Sequence, residues 1–127
     1  RAQMADSLHT FEGLEAWQSG RELTRLAYGC FRRAPAARDF GLRDQVQRAA
    51  VSAMTNIAEG FARMHLQEKT QFYNVARASC GEVRSLSYGM LDAGYITGGE
   101  PNRIQQAAIL TGRLLTCLLR STEARKH

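Results

Sequence analysis

Leu42, Val46, Ala49, Ala50, Ala53, Met54, Ile57, Gly60 and Phe61 recur at helical intervals and mark one face of a helix. Asp44, Arg48, Ser52, Thr55, Glu59 and Arg63 run along the opposite side. Val51, Ala58 and Ala62 widen the first set, so the apolar and small arc covers about half the wheel, against ~100° for a surface helix. The pattern predicts a central helix over 42–63 that needs neighbours on two sides. Ala49, Ala53 and Gly60 let a partner backbone come close. A single copy of the chain is not expected to cover so broad an arc, and further copies are expected to complete it.

Three more stretches carry the same period. Ala16, Gly20, Leu23, Ala27 and Cys30 form one stripe, flanked by Trp17, Tyr28 and Phe31, and predict helix 1 over 13–33. Trp17 and Tyr28 read as core or interface anchors rather than a stacking platform, because they lie beside the stripe. Residues 34–41 contain Pro35 and predict a connection with a short helical turn. Helix 2 follows over 42–63, and Met64, His65 and Leu66 form a short link.

Helix 3 is predicted over 67–93, with Phe72, Ala76, Ser79, Val83, Leu86 and Met90 inward and Gln71, Asn74, Arg77, Arg84, Tyr88 and Asp92 outward. Gly94 is its stop. Pro101 suits the first turn of helix 4. That helix runs to about Ala124 with Ile104, Ala107, Ala108, Thr111, Leu114, Leu115 and Leu118 inward. Arg113 and Arg120 share its outer face. Residues 1–10 lack periodicity and read as a flexible arm, with Met4 as the natural start; residues 11–127 form the helical domain. The expected fold is all-α, an antiparallel up-down-up-down four-helix bundle.

A turn centred on His65 sets a register between helices 2 and 3. It places Asn56 opposite Asn74, Ser52 opposite Ala78 and Arg48 near Glu82, a pair expected to fix that register. Ala49, Ser52 and Ala53 against Ala78, Ser79 and Gly81 would allow close packing. Asn56, once buried, needs a hydrogen-bond partner and is expected to specify register rather than to bind a ligand.

Composition then limits the function classes. A chain of 127 residues with 44% apolar and 23% charged residues is long enough for one unstapled core. It has no apolar run near the ~20 residues of a membrane span, and no secretory signal pattern. Cys30, Cys80 and Cys117 are odd in number and lie in apolar helical patterns, which suits reduced thiols in the cytoplasm. The net charge is +5, and all but two of the 17 basic residues are Arg. Arg presents a planar fork suited to phosphate or carboxylate. The balance points equally to a nucleic acid or acidic partner and to ordinary solvated faces.

No constellation of catalytic groups accompanies this charge. His9, His65 and His127 are scattered over arm, link and tail, which argues against a metal site. Glu59 and Glu82 lack the Glu-x-x-His repeats of di-metal bundles and are expected to pair with Arg or backbone. Ser79 and Cys80 have no His nearby in the expected register. Gly98-Gly99 is a turn, not a phosphate cradle. No enzyme, metal or cofactor is expected.

The order Gly41-Leu42, Gln45, Arg48-Ala49-Ala50-Val51-Ser52, Asn56-Ile57-Ala58-Glu59-Gly60-Phe61 and Arg63 resembles the signature of the bacterial 23S rRNA intervening-sequence proteins, also known as S23 or four helix bundle proteins. Phe72, Ala76-Arg77, Ser79 and Glu82 resemble the family's second signature, and Leu14 and Trp17 its opening. The resemblance extends from Phe11 over nearly the whole chain. Ala53-Met54 stands where the family usually has Ile-Pro, so the proline kink of helix 2 is not expected. Ala78 and Cys80 replace the frequent Gly and Leu. The resemblance implies a bundle that assembles into a homopentameric ring. The same fold occurs in the accessory variability determinant of diversity-generating retroelements, a basic barrel that binds nucleic acid and a reverse transcriptase.

The expected function is therefore a non-enzymatic oligomeric scaffold that binds RNA or DNA, or serves a nucleoprotein complex, through Arg43, Arg63, Arg77, Arg84, Arg113 and Arg120. Arg48, Ser52, Asn56, Glu59, Gly60 and Glu82 are expected to set register and packing. The expected partners are further copies of the chain, RNA or DNA, and a reverse transcriptase or another protein, with no membrane. The alternative is a protein-interaction module that docks an acidic partner without touching nucleic acid.

Overall fold

The structure is a computed structural model and describes residues 9–98 and 102–125. Its four helices are α1 (Glu15–Gly29), α2 (Phe40–Ala62), α3 (Leu66–Asp92) and α4 (Arg103–Ala124). Single 3-10 turns at Phe11–Gly13 and Ala36–Arg38 precede α1 and α2, and no strand occurs among the described residues. Pro101, His127 and residues 1–8 of the expected arm lie outside the described residues.

Local chemistry sets the helix ends. Asp39 caps α2 by accepting from the Leu42 amide at 3.2 Å, and Asn102 caps α4 by accepting from the Gln105 amide at 3.3 Å. Gly94 adopts a φ of 79°, which only glycine takes without strain. The Tyr95 amide then reaches the Met90 carbonyl at 2.9 Å and the Gly94 amide reaches Leu91 at 3.0 Å, the paired bonds of a Schellman stop. At the end of α2, the Lys69 ammonium donates to the Gly60 and Phe61 carbonyls at 3.3 and 2.7 Å. The Gly60 carbonyl also accepts from the Arg63 amide at 3.3 Å, so the ammonium adds to the partners of a helix end whose last carbonyls have none within the helix.

The first helix stops earlier than the expected Arg33. Gly29 weakens the last turn, and Pro35 disfavours helical backbone at the residue before it. The chain turns back instead, burying Phe31 and Ala36.

α1 packs against α2 and α4, and α3 packs against the same two helices. Leu23, Val46, Ile57, Val83, Met90, Ile104 and Leu115 fill the shared core and are buried. Gly20 of α1 lets the backbone of α2 approach, since a Cβ there would lie 3.3 Å from the Met54 Cα. The Ser19 and Thr111 hydroxyls, 2.6 Å apart, join α1 to α4.

α2 is one uninterrupted helix despite its many small residues. Its arc is covered differently from the expectation. Ala49, Ala50, Ala53, Ile57 and Gly60 are buried, and Val51, Met54, Ala58 and Phe61 are half-buried. α1, α3 and both 3-10 turns supply that cover. The large apolar side chains left exposed among the described residues are Tyr28, Phe40, Met64, Val75, Tyr88 and Leu110, of which Phe40 alone belongs to α2. The surface that the arc was expected to reserve for other copies is thus mostly taken by the chain itself.

Candidate nucleic-acid interface

The seam between α2 and α3 holds the predicted packing residues. Ser52 sits opposite Ser79, one residue beyond the expected Ala78, with the hydroxyl oxygens 2.9 Å apart. Asn56 bonds within its own helix, donating to the Ser52 carbonyl at 2.8 Å and the Ser52 hydroxyl at 3.1 Å. Asn74, its expected partner, is exposed. The Arg48–Glu82 pair does not form: both side chains are exposed, and the ion pairs of the described residues are Arg25–Glu22, Arg43–Asp44 and Arg63–Glu59. A pair of Ser hydroxyls and a Gly–Tyr contact hold this register instead. Gly60 faces Tyr73, where a Cβ would lie 2.6 Å from the ring.

The candidate arginines divide into three groups. Arg43 is tied down, with its Nε on Asp44 at 3.1 Å, its Nη1 on the Ala37 carbonyl at 3.3 Å and its guanidinium 4.8 Å from the Phe40 ring centre. Arg63 is likewise engaged, reaching Glu59 at 3.2 Å and lying 4.5 Å from the Phe72 ring centre. Arg120 is exposed on α4, outside the groove described next.

Arg77, Arg84 and Arg113 converge. They line one groove of about 470 Å³ between α3 and α4. Gly81, Gly112, Ala78 and Ala108 leave its floor low, and no carboxylate lines it. Gly81 was expected to let α2 approach α3, but a Cβ there would meet nothing within 4 Å. It belongs to the open side of α3. The Arg77 Nε donates to the Thr116 hydroxyl at 2.9 Å, while Thr116 donates to the Gly112 carbonyl at 3.1 Å. One guanidinium is therefore positioned across the seam before any ligand arrives.

The groove presents three guanidinium groups and one thiol. Burial pushes the Cys80 thiol up to about 12, so it stays protonated and is a poor nucleophile near neutrality. Among the described residues no three His, Cys, Asp or Glu side chains gather in a way that would hold a metal ion. The model of the 23S rRNA-intervening sequence proteins matches residues 12–117. The chain belongs to that family. The matched span of this 23S rRNA-intervening sequence protein contains the whole groove and ends before Arg120. No curated protein matches the chain. Among the described residues, no helix is long and apolar enough to cross a membrane.

Sequence reasoning named Arg77, Arg84 and Arg113 among six candidates but did not place them along one groove. It missed Tyr73, which is 2% exposed, and it missed Gly112. The available signal was the presence of Gly81 and Gly112 inside helical patterns, where glycine costs about 1 kcal/mol relative to alanine and so invites a packing or site explanation.

Proposed function

We propose that this protein is a non-enzymatic scaffold that binds RNA or DNA through the groove between α3 and α4, as an accessory subunit of a nucleoprotein complex. The supporting observation is the convergence of Arg77, Arg84 and Arg113 on a groove without a carboxylate. Guanidinium groups of this kind meet phosphate oxygens in pairs of hydrogen bonds. The low floor admits a phosphate chain close to the helix backbones.

The reading also takes the four helices as an antiparallel up-down-up-down bundle that forms a homopentameric ring. Val75, Tyr88 and Leu110 support an association of copies, because each is about half exposed on α3 or α4. In such a ring the grooves would repeat around the assembly and bind a long strand at several points.

Fluorescence anisotropy with labelled 20-nucleotide RNA and DNA, titrated with salt, tests the groove. Each phosphate neutralised contributes about 0.7 to 0.9 to the slope of log affinity against log salt. The triple variant R77Q/R84Q/R113Q is therefore expected to flatten that slope by about 2 to 3. Absence of binding at moderate salt overturns the nucleic-acid reading, and nuclease-resistant co-purification with an acidic protein would replace it. A solution mass of a lone 14.1 kDa chain overturns the ring.

A further inference from the structure

The α3–α4 groove leaves a second basic surface unused. Arg32, Arg33, Arg38 and Arg43 fall within twelve residues at the connection between α1 and α2. That connection is a compact hydrogen-bonded unit rather than a loose loop. The Ala37 amide donates to Arg33 at 2.9 Å, Arg38 to Pro35 at 3.0 Å and Asp39 to Ala36 at 2.9 Å. Arg43 reaches back from α2 to the Ala37 carbonyl at 3.3 Å. Ala36 and Phe31 are buried beneath, while Arg32, Arg33 and Arg38 are exposed and form no ion pair among the described residues.

Two carboxylates lie in the same segment, and both are engaged. Asp39 accepts from the Leu42 amide and from the Tyr95 hydroxyl at 2.9 Å. Asp44 pairs with Arg43 at 3.1 Å. The outward-facing charge is therefore positive. Beside it stands Phe40, 60% exposed, with the Arg43 guanidinium 4.8 Å from its ring centre. An exposed phenylalanine loses much of the benefit of burial, and here the Arg43 guanidinium lies over the ring while most of the residue stays exposed.

We infer that the α1–α2 connection is a second nucleic-acid contact that selects unpaired strands: Arg33 and Arg38 hold the phosphates while a base stacks against Phe40 and Arg43. Phosphates are common to single and double strands, so the arginines supply affinity without discrimination. An unpaired base exposes its ring face, and a base within a duplex does not. Stacking on one aromatic side chain is worth roughly tenfold in affinity. The inference takes its ligand class from the proposed function, but it shares no residue with the α3–α4 groove.

The test measures binding of one 20-nucleotide sequence, as a single strand and as a duplex, at fixed salt. The full chain is compared with F40A, F40L, F40W, R33Q/R38Q and the groove triple variant. F40A and F40L are expected to weaken single-strand binding about tenfold and duplex binding less than about twofold. F40W is expected to keep the discrimination, because it retains an aromatic face. R33Q/R38Q should weaken both ligands and lower the salt slope by about 1 to 2. The groove variant should weaken both ligands and preserve their ratio.

If the full chain binds nucleic acid but F40A and F40L weaken both forms equally, or neither, the inference fails and the groove reading stands. If the full chain binds no nucleic acid, both fail. Phe40-dependent sedimentation with phosphatidylserine vesicles, in the absence of a single-strand preference, would identify the patch as a lipid contact and overturn the inference.

Discussion

The two seams of α3 use the same kind of residue to opposite ends. Against α2, Gly60 faces the buried Tyr73 ring, whose carbons would lie 2.6 and 2.8 Å from a Cβ at that position. The glycine is a socket, and the aromatic fills it. Against α4, Gly81 faces open space, and Gly112 has only the Cys80 Cβ at 3.9 Å. No large side chain enters there, so about 470 Å³ remains open between the helices. At these positions a glycine closes the seam where an aromatic ring fills the space in front of it, and leaves it open where no side chain does. Arg77, Arg84 and Arg113 line the open seam.

The largest effect expected from breaking this contrast is at the closed seam. Tyr73→Ala removes the side chain that fills the Gly60 socket and is expected to cost about 3 to 5 kcal/mol in urea unfolding. The next is the pair Gly60→Ala and Gly81→Ala, measured side by side. The first forces a methyl group against the Tyr73 ring and should cost about 1 to 3 kcal/mol. The second meets nothing and should stabilise by about 0.5 to 1 kcal/mol, the usual gain of alanine over glycine within a helix. Equal effects at the two sites would dissolve the contrast.

The smallest effect concerns the thiols. Cys80 lies at the wall of the open seam yet is 2% exposed, whereas Cys117 is exposed and Cys30 is half-buried. At pH 8 a thiol reagent should label Cys117 first and leave Cys80 unlabelled until the chain unfolds. With its acidity suppressed to about 12, Cys80 favours the folded state below pH 9, and that contribution fades as pH rises from 9 towards 12. Rapid labelling of Cys80 in the folded protein would mean that the groove reaches deeper than its lining implies.

The helices were legible because their signals are local. Period, the Gly94 stop and the inward set of α4 depend on residues within a few turns of each other. What depended on the rotation of one helix against another was not. Phe72 and Tyr73 are neighbours in sequence, and it is the Tyr73 ring that lies against Gly60 and is buried, while Phe72 stays half-buried. The outward placement of Arg77, Arg84 and Arg113 could be read from spacing, but their convergence required the relative positions of α3 and α4. The engagement of Arg63 by Glu59 was legible in principle, since the two are four residues apart on one helix. The breadth of the α2 arc misled because two 3-10 turns, too short to leave a period, supply part of its cover.

The Asp39 carboxylate binds the Leu42 amide, three residues away, and the Tyr95 hydroxyl, 56 residues away. During synthesis, the nascent chain can make the first of these bonds as soon as α2 begins, but the second must wait until all of α3 has left the ribosome. The Asp39 carboxylate thus keeps only its local partner until Tyr95 has been made, and its long-range partner comes late. A ribosome stalled before Tyr95 would therefore display the arginine-bearing turn with its local hydrogen bonds in place but its tie to the far end of α3 not yet made.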